Sequence, residues 1–218
     1  MTGVCRVPNC HLPAFSRFSR HCRRHKSSLR RQGDPLQTSV TKGELTPYRL
    51  RVEARIAKNA DSPLWEHLEG RWREIVGQAR GDASKATGNR YQRNAAREVL
   101  NIGADAGGRA VMVTALAMFV LLSERPSRFA SDAGFRLQLA RRVRALSSRH
   151  SGSRYDHRTG REQRVYREMT PKAGAILGQT LATTFGAAGL RLAALDEQDR
   201  EDARTAQENI RTAIKELK

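Results

Sequence analysis

The chain has 218 residues, with 40 Lys and Arg against 22 Asp and Glu, so its formal net charge at pH 7 is +18. This length fits one domain with an appendage or two small domains, and 39% hydrophobic residues suffice for a core, which excludes wholesale disorder. The excess of cations indicates a polyanionic partner, nucleic acid before a membrane surface, and an aromatic content of only 6% argues against a sheet of base-stacking platforms.

All three cysteines lie near the N-terminus, and a histidine follows three positions after the last of them. The four residues form the pattern C-x4-C-x11-C-x2-H: Cys5, Cys10, Cys22 and His25. Thiolates and imidazole are ligands of tetrahedral structural zinc, and residues three apart share one face of a helical turn. We therefore predict one Zn²⁺ per chain, with His11 and His21 as competing imidazoles for the fourth position.

The stretch around these residues, CRVPNCHLPAFSRFSRHCRRHKSSLRRQGDP, resembles a small zinc module frequent in phage and bacterial mobile-element proteins. Beyond the four ligands, the matching positions are the basic residues and the closing turn: Arg30, Arg31, Gly33, Asp34 and Pro35. The module is best known beside HNH-type homing endonucleases, but no His-Asn-His constellation follows here. The resemblance therefore implies a DNA-associated zinc module over residues 1–35 and brings no nuclease with it.

After this module, residues 36–46 have the composition of a linker, and Thr46-Pro47 predicts the start of a basic helical segment at 47–80. A second start signal, Ser62-Pro63, opens a helix with an apolar stripe of Leu64, Leu68 and Trp72. Because Gly81 to Asn89 is polar and contains two Gly, we predict a break there.

Residues 90–195 are predicted to form a helical core. Within it, a helix from Arg109 to Ser123 is apolar nearly all round and is expected at the centre. A helix from Ser131 to Ser148 has one buried face, formed by Phe135, Leu139, Val143 and Leu146. The Gly- and Ala-rich helix that Thr170-Pro171 opens is expected to end near Leu195, buried and closely packed.

Between these last two helices, residues 151–168 combine aromatic and β-branched residues with Arg-Thr-Gly-Arg, which predicts a β-hairpin turning near Gly160. The final segment, 196–218, predicts a separate charged amphipathic helix with heptad-like spacing of Ala203, Ala206, Ile210, Ala213 and Leu217. Its stripe is expected either to pack on the body or to pair two copies. The predicted fold class is thus mainly α: a zinc module, then a helical domain with one basic β-hairpin, an order that resembles winged-helix proteins.

Two segments concentrate the positive charge: residues 1–35 have a net charge of +7 and residues 128–167 have +8. In the helix 131–148, Arg141 and Arg144 are expected to point away from the buried face. Clustering of Arg on a helix and a hairpin fits the phosphates and base edges of duplex DNA. The predicted DNA contacts are Arg23, Arg24, Arg30, Arg31, Arg136, Arg141, Arg142, Arg144, Arg154, Arg158, Arg161 and Arg164.

No P-loop, G-x-S-x-G elbow or H-E-x-x-H helix occurs in the chain. The predicted function is therefore non-enzymatic binding of double-stranded DNA, as an accessory or regulatory factor of a phage or mobile element, beside a recombinase, transposase or nuclease. One alternative is a diverged endonuclease or recombination enzyme, and a second is an RNA- or ribosome-associated zinc protein. Without a secretory signal or an apolar run of about 20 residues, we expect no membrane association and a bacterial cytoplasmic protein, bound to the nucleoid.

Overall fold

The computed structural model describes residues 3–85 and 89–216, apart from the side chains of Arg164, Ala213 and Glu216. Within these ranges the fold is mainly α, as predicted, with seven α-helices and one antiparallel hairpin. The helices are α1 Arg23–Gln32, α2 Lys42–Lys58, α3 Pro63–Ser84, α4 Arg90–Asp105, α5 Gly108–Glu124, α6 Asp132–Arg144 and α7 Pro171–Glu216. A short 3-10 helix spans Pro126–Arg128, and the hairpin consists of β1 Ser151–Asp156 and β2 Arg161–Tyr166.

Helix α5 is the centre of the body, as its apolar circumference predicts. Every residue from Val111 to Leu121 is buried, and α5 packs against α2, α3, α6 and α7. Phe119 of α5 lies edge-on to Phe135 of α6, with ring centroids 5.0 Å apart. The two Trp residues of α3 are also core residues. The buried face of α3 starts at Trp65 and continues through Leu68 and Trp72, so Leu64 of the predicted stripe is exposed.

Helices α6 and α7 approach each other closely because glycines lie at their contact. A Cβ on Gly178 would overlap the carbonyl oxygen of Arg136 and lie 2.8 Å from its carbonyl carbon. One turn earlier, a Cβ on Gly174 would overlap Leu137. The Gly- and Ala-rich composition of α7 therefore serves close packing in the body. No single described helix is long and apolar enough to cross a membrane, although α4 and α5, bent by 116° at their junction, pass that test as a pair.

The predicted start of α2 at Thr46-Pro47 is wrong, since the helix begins five residues earlier, at Lys42. Thr41 is the N-cap and forms a capping box with Glu44, in which each side chain accepts a hydrogen bond from the other residue's backbone N–H. Pro47 lies inside α2, and the hydrogen bond it forgoes is to Gly43 in the first turn of the helix. The capping box and burial of Leu45 favour the longer helix.

The predicted helix end near Leu195 is also wrong: α7 continues unbroken through this position to Glu216. Asp196, expected to begin a new helix, instead forms ion pairs with Arg51 at 3.0 Å and Arg55 at 2.7 Å, which hold it on α2. Described side chains beyond it are exposed, so the stripe does not pack on the body. Leu217 lies outside the described residues. Helix α6, in turn, ends at Arg144 and is shorter than predicted.

Residues 36–41, within the predicted linker, are held against the body by hydrogen bonds. Gln37 is buried, and its Oε1 accepts from the backbone N–H of Ala130 at 3.0 Å. The backbone N–H of Val40 donates to Oε1 of Gln138 at 3.0 Å. Arg128 donates to both carboxylate oxygens of Glu44, at 2.6 and 3.1 Å, and to the backbone carbonyl of Ser39. The N-terminal module is thereby attached to the helical body.

The close contact of α6 and α7 predicts opposite effects for two glycine substitutions. Gly178→Ala should lower the free energy of unfolding by about 1–3 kcal/mol, because the methyl group overpacks the α6 backbone. Gly77→Ala lies in α3, where no atom is within 4 Å of the added Cβ. This change should raise the free energy of unfolding by about 0.5–1 kcal/mol, because Ala lowers the backbone entropy of the unfolded chain. Urea denaturation measures both, and a stabilising Gly178→Ala would contradict the close approach.

The pair of Glu44 and Arg128 predicts a pH-dependent contribution to stability. The hydrogen bond from Arg128 lowers the pKa of Glu44, so its contribution is present above the unfolded pKa of about 4.3 and is lost as pH falls through the folded pKa. Glu44→Gln should therefore cost about 1–3 kcal/mol at pH 7 and much less near pH 3. Glu53→Gln, at an exposed 3.8 Å contact with Arg49, is the matched control and should change stability little at either pH.

Candidate metal centre and nucleic-acid interface

A tight turn brings Cys5 and Cys10 together. The backbone N–H of Cys5 donates to the carbonyl of Leu12 at 3.0 Å, and that of Cys10 donates to Val7 at 3.1 Å. Asn9, at the tip, has a φ of 61°, a left-handed conformation that Asn adopts more readily than most residues. The chain therefore turns tightly at Pro8-Asn9, between the two cysteines.

Helix α1 supplies the other two candidate ligands. Cys22 is its N-cap residue, and its carbonyl accepts from the N–H of Lys26 at 2.9 Å. His25 is the third residue of the helix, so its imidazole lies beside the Cys22 thiol on the same turn, as the three-residue spacing predicts. The turn and the helix start thus face each other across one small volume.

The four ligand atoms have the spacing of a tetrahedral metal site. They all lie within 4.8 Å of one another. Sγ of Cys5 is 3.3 Å from Nδ1 of His25, Sγ of Cys22 is 3.5 Å from the same nitrogen, and the sulfurs of Cys10 and Cys22 are 4.0 Å apart. Zinc–sulfur bonds of about 2.3 Å in a tetrahedron place sulfurs roughly 3.8 Å apart, so the cluster fits one ion of that size.

The donor set is consistent with zinc, which favours thiolate and imidazole ligands. All three cysteines are unbridged. His25 is the imidazole brought into the cluster; the competing His11 is exposed, and His21 does not join the group. The predicted ligands Cys5, Cys10, Cys22 and His25 therefore lie together and could hold one metal ion.

The thiols of the cluster are electrostatically unequal. Burial raises the pKa of Cys5, but hydrogen bonds from the backbone of Cys22 and Val7 and from His25 outweigh it and hold this pKa at about 5. For Cys10, a backbone hydrogen bond from Leu12 lowers the pKa, whereas burial and the neighbouring sulfurs raise it above its usual value. One thiol is thus already a thiolate near neutral pH, the form that binds metal.

The metal ligands are also most of the module's interior. Its buried cluster consists of Cys5, Val7 and Cys22 with Cys10 packed against them, separate from the core of the helical body. A cluster this small cannot offset the entropy of ordering the surrounding loop. The module is therefore expected to fold with its ion, while the body has a core of its own.

Tertiary contacts join the two basic segments of the sequence. Nε of Arg31 in α1 is 3.0 Å from the carboxylate of Glu168, which follows β2, and Arg30 is 3.8 Å from it. Arg141 of α6 donates to the backbone carbonyl of Arg31 at 2.7 Å. Helix α1, helix α6 and the exit of the hairpin therefore form one continuous surface, which we call the basic surface.

Five of the predicted DNA contacts are exposed with no carboxylate of the described chain within 4.0 Å. They are Arg23, Arg24, Arg154, Arg158 and Arg161. In the strand register Asp156 lies opposite Arg161, so Arg154 and Arg161 share one face of the hairpin. Tyr166, which contacts Arg144 of the body, lies on the other face. The two arginines on the first face point away from the body.

The prediction that Arg144 points to solvent and contacts DNA is wrong, because its side chain is buried, at 3% exposure. Its guanidinium donates to both carboxylate oxygens of Glu98 on α4, at 2.7 and 2.9 Å, and to the carbonyl of Arg167. The α6 face opposite the predicted core is covered by α4 and the end of the hairpin, which the pattern of α6 alone does not reveal. Arg144 is a structural residue.

The other arginines predicted to contact DNA are partly buried or hydrogen-bonded within the fold. Arg136 donates to Gln179 at 2.6 Å, and burial together with Arg141 lowers the pKa of the half-buried Arg142. The side chain of Arg164 lies outside the described residues.

The loop between Cys10 and Cys22 is a further candidate contact that the sequence patterns did not single out. In it, Phe18 is 83% exposed beside Arg17, and Lys26 of α1 lies over the ring of Phe15. An aromatic residue flanked by Arg in the charged N-terminal segment is the signal that could have identified it.

No family model, curated protein or solved structure matches this chain.

Zinc content tests the metal centre, with two histidines as a matched pair. Purified protein should contain about one Zn per chain, which Cys22→Ser or His25→Ala should lose and His21→Ala should retain. Circular dichroism of the zinc-free variants should still report the helices of the body, since their core is separate. Protein made under reducing, chelator-free conditions that contains no zinc would contradict the assignment.

Proposed function

We propose that this chain is a non-enzymatic zinc protein that binds double-stranded DNA through its basic surface. The observation that carries the proposal is the contact of Arg31 with Glu168 and Arg141, which places the two most basic segments of the chain side by side. These segments, far apart in sequence, contribute +7 and +8 of the net charge. A surface that served only solubility would mix both signs over the whole protein.

The exposed arginines are suited to phosphate contacts. A guanidinium binds phosphate in a bidentate manner, and none of the five exposed arginines is neutralised by a carboxylate of the described chain. The hairpin carries Arg154, Arg158 and Arg161, and α1 carries Arg23 and Arg24. A duplex lying between them would be contacted on two stretches of its backbone, while exposed Phe18 offers an apolar contact at the zinc module.

The biological setting rests on the resemblance of the N-terminal module to those of phage and mobile-element proteins. All three cysteines are candidate ligands, so no thiol is left as a nucleophile. We therefore propose an accessory or regulatory factor in the bacterial cytoplasm, at the nucleoid, beside a recombinase, transposase or nuclease that supplies the catalysis.

Salt dependence of duplex binding tests this function. The triple change Arg154→Ala, Arg158→Ala and Arg161→Ala should weaken binding and reduce the slope of log K against log salt by roughly 0.9 for each phosphate that the variant no longer neutralises. Arg71→Ala, Arg73→Ala and Arg80→Ala on α3 remove the same charge elsewhere and should leave most of the slope. Arg23→Ala with Arg24→Ala tests the zinc module separately, and all five changes on the basic surface should nearly abolish binding.

Three results would contradict the proposal. An unchanged slope in the hairpin variant would remove the hairpin from the DNA surface. Stronger competition by tRNA than by duplex DNA would favour an RNA-binding function. Cleavage of plasmid in Mg²⁺ or Mn²⁺ would show an enzyme. Arg144 is left out of these variants, because its loss would leave Glu98 buried without its partner and confuse binding with stability.

A further inference from the structure

The C-terminal part of α7 leaves the body as a free helix. Asp196 and Asp199 still contact α2, through Arg55 at 2.7 and 2.8 Å. Described side chains from Glu197 to Lys215 are all exposed. Arg200 also pairs with Glu124 of α5 at 2.7 Å, so the helix leaves the body at about residue 201. At 1.5 Å per residue, the roughly 16 residues from 201 to 216 extend about 24 Å beyond the body. We call this part of α7 the projecting helix.

A helix of this length that buries no side chain has little to stabilise it. Just before it leaves the body, Arg200 pairs with Glu197 and with Glu124 of α5, both at 2.7 Å, and Gln198 donates to Asp202 at 2.9 Å; exposed contacts of this kind are worth a few tenths of a kcal/mol each. Most helices in proteins are held instead by packing of an apolar face. The projecting helix has such a face, since Ile210 is 61% and Ile214 is 53% exposed, in line with Ala203 and Ala206.

Charge along the projecting helix decides the kind of partner and its direction. Asp196 and Asp199 are paired with Arg51 and Arg55 of α2, so the charges that count lie beyond them. Residues 201–207 contain two acidic and one basic residue, a net charge of −1, and residues 209–215 contain two basic residues, a net charge of +2. Two parallel copies would align acidic half with acidic half. In an antiparallel pair, each acidic half faces the basic half of the other copy, so the helix is complementary to itself.

The apolar spacing has a register that agrees with this direction. If Ala203 and Ile210 are a positions of a heptad, Ala206 and residue 213 are d positions. An antiparallel pair centred at residue 208 then sets Ile210 of one copy opposite Ala206 of the other, and Ala203 opposite residue 213. Large residues thus meet small ones in the central layers, which allows close packing.

We propose that two copies of the chain pair through antiparallel projecting helices and that the dimer holds two segments of duplex DNA. Helix α6, the centre of the basic surface, packs on α7 at Gly174 and Gly178. These residues are about 50 Å along the helix axis from residue 208, which places the two basic surfaces about 100 Å apart. This is too far for adjacent half-sites one helical turn apart on a duplex. The pairing stands alone, whereas the DNA part rests on the proposed function.

Light scattering of the full chain tests the pairing. The wild-type protein should form a concentration-dependent dimer that Ile210→Asp dissociates, because a charge enters a central layer. Thr205→Asp adds the same charge at an outer position of the heptad and should remain dimeric. Truncation after Arg200, which keeps Asp196 and Asp199 on α2, should also be monomeric. A wild-type protein that stays monomeric throughout the micromolar range would overturn the interface.

Small-angle X-ray scattering tests the direction. An antiparallel dimer should be elongated, with two bodies separated by about 70 Å between centres, estimated from the helical rise between residues 184 and 208. A compact dimer with adjacent bodies would overturn the antiparallel arrangement.

Capture of a second duplex tests the DNA part. Beads with an immobilised duplex should retain a second, labelled duplex when wild-type protein or Thr205→Asp is added, and Ile210→Asp should bind the first duplex without retaining the second. Wild-type dimer that binds one duplex and retains no second would overturn the two-segment arrangement. Dimer that binds no duplex at all would overturn the proposed function and leave the pairing intact.

Discussion

Burial of α5 on every side is the constraint on which the rest of this structure depends. A helix that is apolar around its whole circumference is stable in water only when other elements surround it. Helices α2, α3, α6 and α7 do so, and each contributes one apolar face. The polar and charged faces of these helices are thereby turned outward. The N-terminal module and the projecting helix lie outside this core.

The zinc module depends on the body for its position and on its ligands for its fold. Its buried cluster contains little besides the candidate metal ligands. Gly33, which ends α1 with a φ of 86°, allows the module to approach α6, since a Cβ there would lie 2.7 Å from the carbonyl oxygen of Ala133. The hydrogen bonds of Gln37 and Arg128 then hold the following segment. In the proposed DNA complex, metal binding and DNA contact would be coupled, because the helix that supplies two candidate ligands also presents Arg23 and Arg24.

Charge is distributed along the length of α7. Cations of α1, α6 and the hairpin lie near its N-terminal end, and the acidic stretch 196–202 lies where the helix leaves the body. The unpaired cations thus lie at the first end, whereas at the second end Asp196 and Asp199 pair with Arg51 and Arg55 of α2. The same asymmetry makes the tail of α7 complementary to an inverted copy of itself.

Local patterns in the sequence were enough to predict the metal ligands, the central position of α5 and the hairpin turning at Gly160, because each depends on spacing over a few residues. Only the tertiary structure decided the start of α2, the continuity of α7 and the role of Arg144. Helix ends depend on competing caps and on anchors such as the pairs of Arg51 and Arg55 with Asp196, which lie 145 and 141 residues away in sequence. Whether an Arg on an amphipathic helix faces solvent or a carboxylate such as Glu98 depends on which distant element covers it. The sequence by itself determined which residues carry charge and which four could hold a metal ion; packing decided which of those charges are paired or buried inside the fold and which stay exposed.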